Sequence, residues 1–326
     1  MSGMRVVITG AAGFLGSRLS RAILDWGALV DAKGRRRDVR ELVLVDVVRS
    51  ALDDARVTPI EGNLDDRRVI DAAITRATDS VFHLAAVVSA QAEADFDLGM
   101  RVNVDATRAL LDRCRQCAAP PKVVFASSLA VFGGALADPV PDDAAVTPQS
   151  SYGTQKAIGE LLVADMSRKG FIDGRSLRLP TIVVRPGKPN KAASSFASGI
   201  MREPLAGVDA ICPVAAHTRM WIQSPRAVIG NFLVGHDAEA SRLPTTRAIN
   251  VPGICVGVGD MVDALRRVAG DDVASRVRWE YDAAIDRIVS TWPARFDAAA
   301  GRALGMRADD DFESIVRAHL EEVRPV

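Results

Sequence analysis

The stretch VVITGAAGFLG, residues 6–16, joins a short apolar run to a glycine-rich turn and then to the start of a helical pattern. Its glycines have the spacing G-x-x-G-x-x-G, which allows a tight turn and a close approach of a ligand to the backbone. Free N–H groups at the start of the following helix attract an anion. A plain tight turn is the simpler interpretation, but the strand–turn–helix context favours a phosphate site. We therefore predict that a dinucleotide pyrophosphate binds at Gly10, Gly13, Phe14, Leu15 and Gly16.

Beyond this turn, apolar runs alternate with helical patterns through the first half of the chain. The runs predicted as strands are MRVVIT, ELVLVD, RVTPIEG, SVFHLAA, PKVVFASS and RSLRLPTIVVRPG. Helices are predicted between them, including one long helix over 93–117, and the polar segment GALVDAKGRRRDVR is interpreted as a projecting turn. Continuous apolar strands alternating with helices predict an α/β fold, a Rossmann-type doubly wound parallel sheet covered on both faces.

After residue 186 the periodicity weakens. The segment NKAASSFASGIMREPLAG is interpreted as a loop and then a helix, and TTRAINVPG as a strand. Further helices are predicted near 225–237, 259–269 and 311–322. We predict a dinucleotide-binding domain at 1–186 and a smaller substrate-binding region at 187–326 that returns in part to the sheet.

The composition excludes several classes of partner. The chain has 326 residues, of which 48% are apolar, and its 41 basic residues balance 41 acidic ones. This balance predicts neither a nucleic acid nor a membrane as partner, and no apolar run approaches the ~18 residues of a membrane span. The N-terminus does not resemble a signal peptide, and four cysteines fit a reducing compartment, so we predict a cytoplasmic protein. Four histidines without ligand-like spacing predict no metal site.

Residues at the ends of the predicted strands indicate which dinucleotide binds. Asp46 ends the second strand, where a carboxylate accepts hydrogen bonds from the adenosine ribose and repels a 2′-phosphate. This favours NAD over NADP, with a solvated strand-end carboxylate as the alternative. The run 35–37 is three arginines that could reach a 2′-phosphate, but we interpret it as a solvated charge run. The other cofactor contacts predicted at strand ends are Asn63 and Leu64 beside the adenine, and Leu84, Ala85 and Ala86 after the fourth strand.

A tyrosine and a lysine lie one helical turn apart in the segment SSYGTQKAIGELL, residues 150–162. A free tyrosine has a pKa of ~10, and lowering it to ~7 requires roughly 4 kcal/mol. One ammonium at ~4 Å supplies about that much at an effective dielectric constant near 20. A surface pair is the alternative interpretation of Tyr152 and Lys156. The preceding glycine loop, Asp46 and the serine pair ending at Ser128 make a catalytic pair the better prediction.

The segments TGAAGFLG, HLAA, SSLAVFG and YGTQK, in this order, resemble the extended short-chain dehydrogenase/reductase family over roughly residues 4–187. The resemblance implies that Ser128 holds the reacting oxygen and that Tyr152 is the acid/base. It implies that Lys156 binds the nicotinamide ribose and lowers the pKa of the tyrosine. Asn103 and Pro180 match further positions around the cofactor.

The sequence departs from the dehydratases of this family. Those members carry an Asp and a Glu directly after the active-site Ser or Thr, where this chain has Leu129 and Ala130. Neither side chain can move a proton, which argues against a dehydratase. A sugar-nucleotide epimerase and a non-catalytic NAD(P)-sensing regulator remain as alternatives to a dehydrogenase. The intact Ser, Tyr and Lys argue against the regulator.

The segment RPGKPNKAASSFASGIMREPLAG provides cations and hydroxyls that suit a small anion, such as a carboxylate on a short polyol, as well as a diphosphate. Together with DVRELVLVDVV, it most resembles family members that oxidise four-carbon sugar acids at C2 with NAD. We expect a small 2-hydroxy sugar acid as substrate, with D-erythronate as the first candidate. Arg185 is predicted to bind its carboxylate bidentately, with a structural ion pair as the alternative, and Ser89 and Thr181 to line the pocket. The resemblance also implies a homodimer.

Overall fold

The computed structural model describes residues 3–187 and 194–323. The strands of this part of the chain are β1 (Met4–Thr9), β2 (Ala28–Val30), β3 (Arg36–Asp46), β4 (Val57–Glu61), β5 (Ser80–His83), β6 (Lys122–Ser128), β7 (Asp173–Leu179), β8 (Thr181–Ile182), β9 (Ala210–Cys212), β10 (Arg219–Gln223), β11 (Ala248–Asn250), β12 (Ile254–Gly257) and β13 (Val277–Trp279). The helices are α1 (Phe14–Trp26), α2 (Arg67–Ala73), α3 (Ser89–Ala94), α4 (Phe96–Gly99), α5 (Ala106–Cys114), α6 (Ser151–Arg168), α7 (Ser195–Leu205), α8 (Pro225–Asp237), α9 (Val258–Ala269), α10 (Asp271–Ala274), α11 (Ala283–Val289), α12 (Ala299–Ala303) and α13 (Phe312–Val323).

The large sheet has the order β11-β7-β6-β5-β1-β3, and both β2 and β4 pair with β3. All of its pairings are parallel except that of β2. Every residue of β1 is buried, as its uninterrupted apolar sequence predicts for a central parallel strand. The predicted doubly wound parallel sheet is confirmed.

Successive residues of each central strand pack into different cores, because side chains alternate across a sheet. Val6 and Ile8 of β1 belong to the core beneath α1 and α8. Val7 belongs to the core beneath α2, α5 and α6 on the opposite face. Full burial of such a side chain contributes about 1.5–3 kcal/mol, so both helix layers are held firmly to the sheet.

A third core lies in the second half of the chain, around β9, β10 and β12 and helices α7, α9 and α13. Two later elements return to the large sheet, since β11 pairs with β7 and α8 packs on β6 and β7. Helices α8, α9 and α13 lie within one residue of their predicted bounds. The division into domains at residue 186 stays a prediction, and residues 188–193 of the predicted loop lie outside the described residues.

The segment interpreted as a projecting turn is instead a β-hairpin of β2 and the start of β3. The carboxylate of Asp31 accepts the N–H groups of Lys33 and Arg35 and closes its turn, while Leu29 is fully buried. Arg37 pairs with Asp79, so the predicted solvated charge run is wrong at that position. Side-chain pairing allows this polar sequence to form a strand.

Two other element predictions are wrong in extent. The helix predicted over 93–117 is divided into α3, α4 and α5, with a π-helix at Met100–Asp105 and a non-helical residue at Asp95. The strand predicted after Arg175 is divided at Pro180, because proline has no N–H to continue a ladder. Leu179 pairs with Ser128 in the large sheet, whereas Thr181 pairs with Ile222 in the small one.

Candidate active site

The glycine turn lies at the carboxyl edge of the sheet, where ligands of open parallel sheets bind. Gly10 has φ +71°, and a Cβ atom there would lie 2.7 Å from the backbone nitrogen of Ala85. A Cβ atom on Gly16 would lie 2.0 Å from the carbonyl oxygen of Gly10. Only glycine fits both positions. Gly13 is the N-cap of α1 and has no side chain to cap it, so the first N–H groups of the helix are left for a ligand.

Asp46 lies beside this turn, and its Oδ2 accepts a hydrogen bond from the N–H of Ala12 at 2.9 Å. Phe14, Leu15 and Gly16 are the first residues of α1. The other predicted cofactor residues follow the neighbouring strands: Asn63 and Leu64 come after β4, and Leu84, Ala85 and Ala86 after β5.

These features fit an NAD molecule. Gly10, Gly13 and Gly16 have no side chains to block a pyrophosphate that binds at the N-terminus of α1. The carboxylate of Asp46 at the end of β3 suits an unphosphorylated ribose. NAD, when bound here, supplies the hydride acceptor.

Asn103, predicted to support the cofactor site, is buried in the π-helix and binds protein groups. Its Oδ1 accepts the N–H of Val87 at 2.8 Å, and its Nδ2 donates to the carbonyl of Val87 and to Gln155 Oε1. It therefore fixes the backbone that follows Leu84–Ala86. His83 is also buried, between the hydroxyls of Thr9 and Thr107, as expected for a packed strand residue.

Helix α6 places Tyr152 against the end of β6. Ser150 is its N-cap and accepts the N–H of Gly153 at 3.1 Å. Helix α6 approaches the turn after β6 so closely that a Cβ atom on Gly153 would lie 2.1 Å from the carbonyl oxygen of Ala130. This close packing places Tyr152 and Ser128 on the same cleft.

Lys156 lies one turn further along the same face and is 3% exposed. Its Nζ donates to the carbonyl oxygen of Ala126 at 2.8 Å and lies 5.6 Å from the centre of the Tyr152 ring. Burial lowers the pKa of Lys156 to about 8, although the carboxylate of Glu160 raises it.

The ionisation of Tyr152 differs from the sequence prediction. Burial raises the pKa of Tyr152 to about 12, while the Arg185 cation and a hydrogen bond with Ser128 lower it. Arg185 is thus a cation that favours the phenolate. The sequence named Arg185 only for the substrate carboxylate, because a residue 33 positions after Tyr152 gives no sign that the two side chains meet.

A cleft of about 1540 Å³ opens beside Tyr152 and Ser128. All five predicted substrate residues line it: Ser89, Ser128, Tyr152, Thr181 and Arg185. Pro180 also lines it, as do Leu129 and Ala130, which occupy the positions of the dehydratase acids. Its other wall comes from the second half of the chain and includes Trp221, Tyr281 and Trp292.

Arg185 is held by α7 and β8. Its backbone N–H donates to Ser198 Oγ at 3.0 Å, its carbonyl accepts from Arg202, and its Nε donates to the carbonyl of Ile182 at 3.1 Å. Burial lowers the pKa of Arg185, and Tyr152 raises it. These contacts leave a fixed cation at the cleft, as an anionic substrate requires.

Several residues of the site were not predicted from the sequence. Glu93 lines the cleft, and its Oε2 accepts the N–H of Ser151 at 2.9 Å. Arg202 holds the backbone of Arg185, and Glu160 contacts Ser127 beneath the site. Only Glu160 had a sequence signal, because it lies four residues after Lys156 and so on the same helical face.

Within the described part of the chain, no group of three or more His, Cys, Asp and Glu residues could hold a metal ion. In the same residues, no helix is long and apolar enough to cross a membrane. A second cavity, of about 500 Å³, lies beside α9 and the start of α13, and no predicted site residue lines it.

A parallel sheet with a glycine turn at its carboxyl edge and a Ser–Tyr–Lys set beside a cleft defines an NAD-dependent oxidoreductase of the short-chain dehydrogenase/reductase type. The NAD dependent epimerase/dehydratase family model matches residues 6–220. The chain belongs to this family.

Relatives and solved structures agree with this assignment. A D-erythronate dehydrogenase of Cupriavidus necator is 55% identical over 98% of both chains. A D-erythronate dehydrogenase of Haemophilus influenzae is 45% identical over 98% of this chain and 99% of its own. Among solved structures, a nucleoside-diphosphate-sugar epimerase from Agrobacterium tumefaciens has a TM-score of 0.92 and 40% identity, covering 99% of this chain and 95% of its own. A GalE-like L-threonine dehydrogenase from Cupriavidus necator, with a TM-score of 0.85 and 22% identity over 98% of this chain and 100% of its own, shares the fold.

Proposed function

We propose that this protein oxidises D-erythronate to 2-dehydro-D-erythronate with NAD. The observation that carries the proposal is the convergence of Ser128, Tyr152 and Arg185 on one cleft. Oxidation of a 2-hydroxy acid requires an acid/base pair for the hydroxyl and a fixed cation for the carboxylate. The full-length similarity to two D-erythronate dehydrogenases supports this choice of substrate.

In the proposed reaction, Tyr152 as phenolate takes the proton of the C2 hydroxyl. Ser128 donates a hydrogen bond to the same oxygen and orients it. NAD held at the glycine turn would accept the hydride of C2, which leaves a ketone, and Lys156 would hold the nicotinamide ribose. Arg185 has two tasks, because its charge favours the phenolate and its guanidinium can bind the substrate carboxylate.

A sugar-nucleotide epimerase is the second candidate. A cleft of about 1540 Å³ is larger than a four-carbon acid needs, and a solved epimerase shares 40% identity with this chain. Such an enzyme uses the same Ser, Tyr and Lys but returns the hydride. It would consume no net NAD and would retain the cofactor through purification.

The test is to mix the purified protein with excess NAD and a panel of four- and five-carbon aldonates, and to follow NADH absorbance. D-Erythronate should give the highest kcat/KM, and L-threonate and D-ribonate serve as stereochemical and length controls. No NADH across the panel, together with interconversion of an added nucleotide sugar, would establish the epimerase instead.

We also propose a homodimer formed through the helices beside Tyr152. Leu161 on α6 and Phe96 on α4 are 65% and 59% exposed, and these two helices pack together. Sedimentation of the wild type and of Leu161→Glu tests this, since the variant should be monomeric. The cytoplasm stays the predicted compartment, supported by the four free thiols.

A further inference from the structure

Residues at the end of β6 are hydrogen-bonded to residues one helical turn apart on α6. The carbonyl oxygen of Ala126 accepts from Lys156 Nζ at 2.8 Å, and Ser127 Oγ donates to Glu160 Oε1 at 2.6 Å. The next residue of β6, Ser128, lines the same cleft as Tyr152. Glu160, which takes no part in the proposed chemistry, therefore holds the strand directly before Ser128.

Glu160 is 4% exposed and is paired with Arg178 of β7, which is 5% exposed. The contact is bidentate, with Arg178 Nε 3.0 Å from Glu160 Oε1 and Nη2 2.8 Å from Oε2. Arg178 also lies over the ring of Phe132 and donates to Asn250 Oδ1. Burying two charges is costly, and a buried ion pair is weak evidence for added stability. A role other than stability is therefore needed to explain why Glu160 and Arg178 are paired here.

The charges around Lys156 explain why this buried pair is present. His83 of β5 faces it but is neutral, because burial and the Lys156 cation lower the pKa of His83 to about 3. Tyr152 is on the same helix, Arg185 lies beyond Tyr152, and the guanidinium of Arg178 is bonded to the carboxylate of Glu160. In the described residues, Glu160 is the anion that acts on Lys156.

We propose that Glu160, held in place by Arg178, is a positioning residue that keeps Lys156 charged and fixes the end of β6 beside Tyr152. The proposal extends the function proposed above. Arg178 prevents the carboxylate from turning away, and the hydrogen bond from Ser127 sets the position of Ser128, the next residue. Glu160 itself touches neither substrate nor cofactor.

The test measures the ionisation of Lys156 directly. The chain contains few lysines, so ¹³C-lysine labelling gives resolvable signals, and loss of one in Lys156→Met identifies Lys156. Its titration midpoint should fall by about one pH unit in Glu160→Gln. The pH above which kcat declines should fall together with the Lys156 midpoint. Asp165→Asn on the exposed part of α6 is the matched control and should leave both unchanged.

Glu160→Gln leaves Arg178 buried without its partner and could fail to fold. The double variant Glu160→Gln/Arg178→Gln removes both charges and should show a smaller fall in the Lys156 midpoint, because the repulsion by Arg178 is removed as well. A wild-type midpoint in either folded variant overturns the proposal, as does a loss of turnover that is equal at every pH. The NMR midpoint requires no substrate, so it stands even if no aldonate is oxidised.

Discussion

The Nζ atom of Lys156 donates a hydrogen bond to the carbonyl oxygen of Ala126 at 2.8 Å. The lysine is therefore fixed to the strand that ends in Ser128, and its ammonium lies 5.6 Å from the centre of the Tyr152 ring. Arg185 provides the cation that lowers the pKa of Tyr152. Two cations therefore lie near Tyr152, whereas the sequence named only Lys156 as the one that lowers its pKa.

Removing the hydroxyl of Tyr152 tests the proposed base. Tyr152→Phe keeps the ring and its packing, so the Kd for NADH should stay close to that of the wild type. Since general base catalysis contributes about 10²–10⁴-fold, kcat should fall by that factor. Stopped-flow and fluorescence titration measure the two quantities, and full turnover in the variant would exclude the mechanism.

Arg185→Gln should raise the KM for the sugar acid about 10- to 100-fold, because a charge-assisted hydrogen bond is lost. The pH at which kcat rises should also increase, since a cation that lowers the pKa of Tyr152 is removed. Arg168→Gln, at the exposed end of α6, is the matched control. An unchanged KM would show that Arg185 has only a structural role.

Asp46→Asn tests the preference for NAD. The variant keeps an acceptor for the N–H of Ala12 but loses the charge that repels a 2′-phosphate. The Kd for NADH should rise about 10-fold and that for NADPH should fall. Asp38→Asn, an exposed residue at the other end of β3, should change neither value. If Asp46→Asn leaves the ratio of the two Kd values unchanged, Asp46 does not face the ribose.

Two glycine-to-alanine substitutions in helices should have opposite effects. Gly153→Ala places a Cβ atom 2.1 Å from the carbonyl oxygen of Ala130, so it should cost about 1–3 kcal/mol of unfolding free energy and lower kcat. Gly230→Ala on α8 meets no atom within 4 Å and should add about 0.5–1 kcal/mol. Urea unfolding measures both. Equal effects would contradict the close packing of α6.

Stability should fall on mild acidification. Burial lowers the pKa of His236 to about 4, although its hydrogen bond with Asp237 raises it. The unfolded chain therefore binds one more proton between about pH 4 and 6.5, and unfolding free energy decreases as the pH drops through that window. From pH 6.5 to 5 the loss is about 2 kcal/mol for this histidine. Urea unfolding of His236→Asn should show a smaller pH dependence, whereas exposed His217→Asn should match the wild type.

The sequence alone determined the order of the main strands and helices and the cofactor turn. These features are encoded locally: the apolar run of β1, the glycine spacing and the four-residue interval from Tyr152 to Lys156 each need only neighbouring residues. The hairpin after α1 escaped prediction because its stability comes from the Asp31 contacts and a buried Leu29.

The tertiary structure decided which charges meet. Arg178 reaches Glu160 from the neighbouring strand, and Arg185 reaches Tyr152 across a chain interval that no helical or strand period connects. Sequence spacing cannot encode such contacts, because packing of the helices on the sheet brings the partners together. Burial then sets their energies, since the same lysine and tyrosine at a surface would keep ordinary pKa values. The local pattern thus identified the reacting groups, and the packed fold set their ionisation.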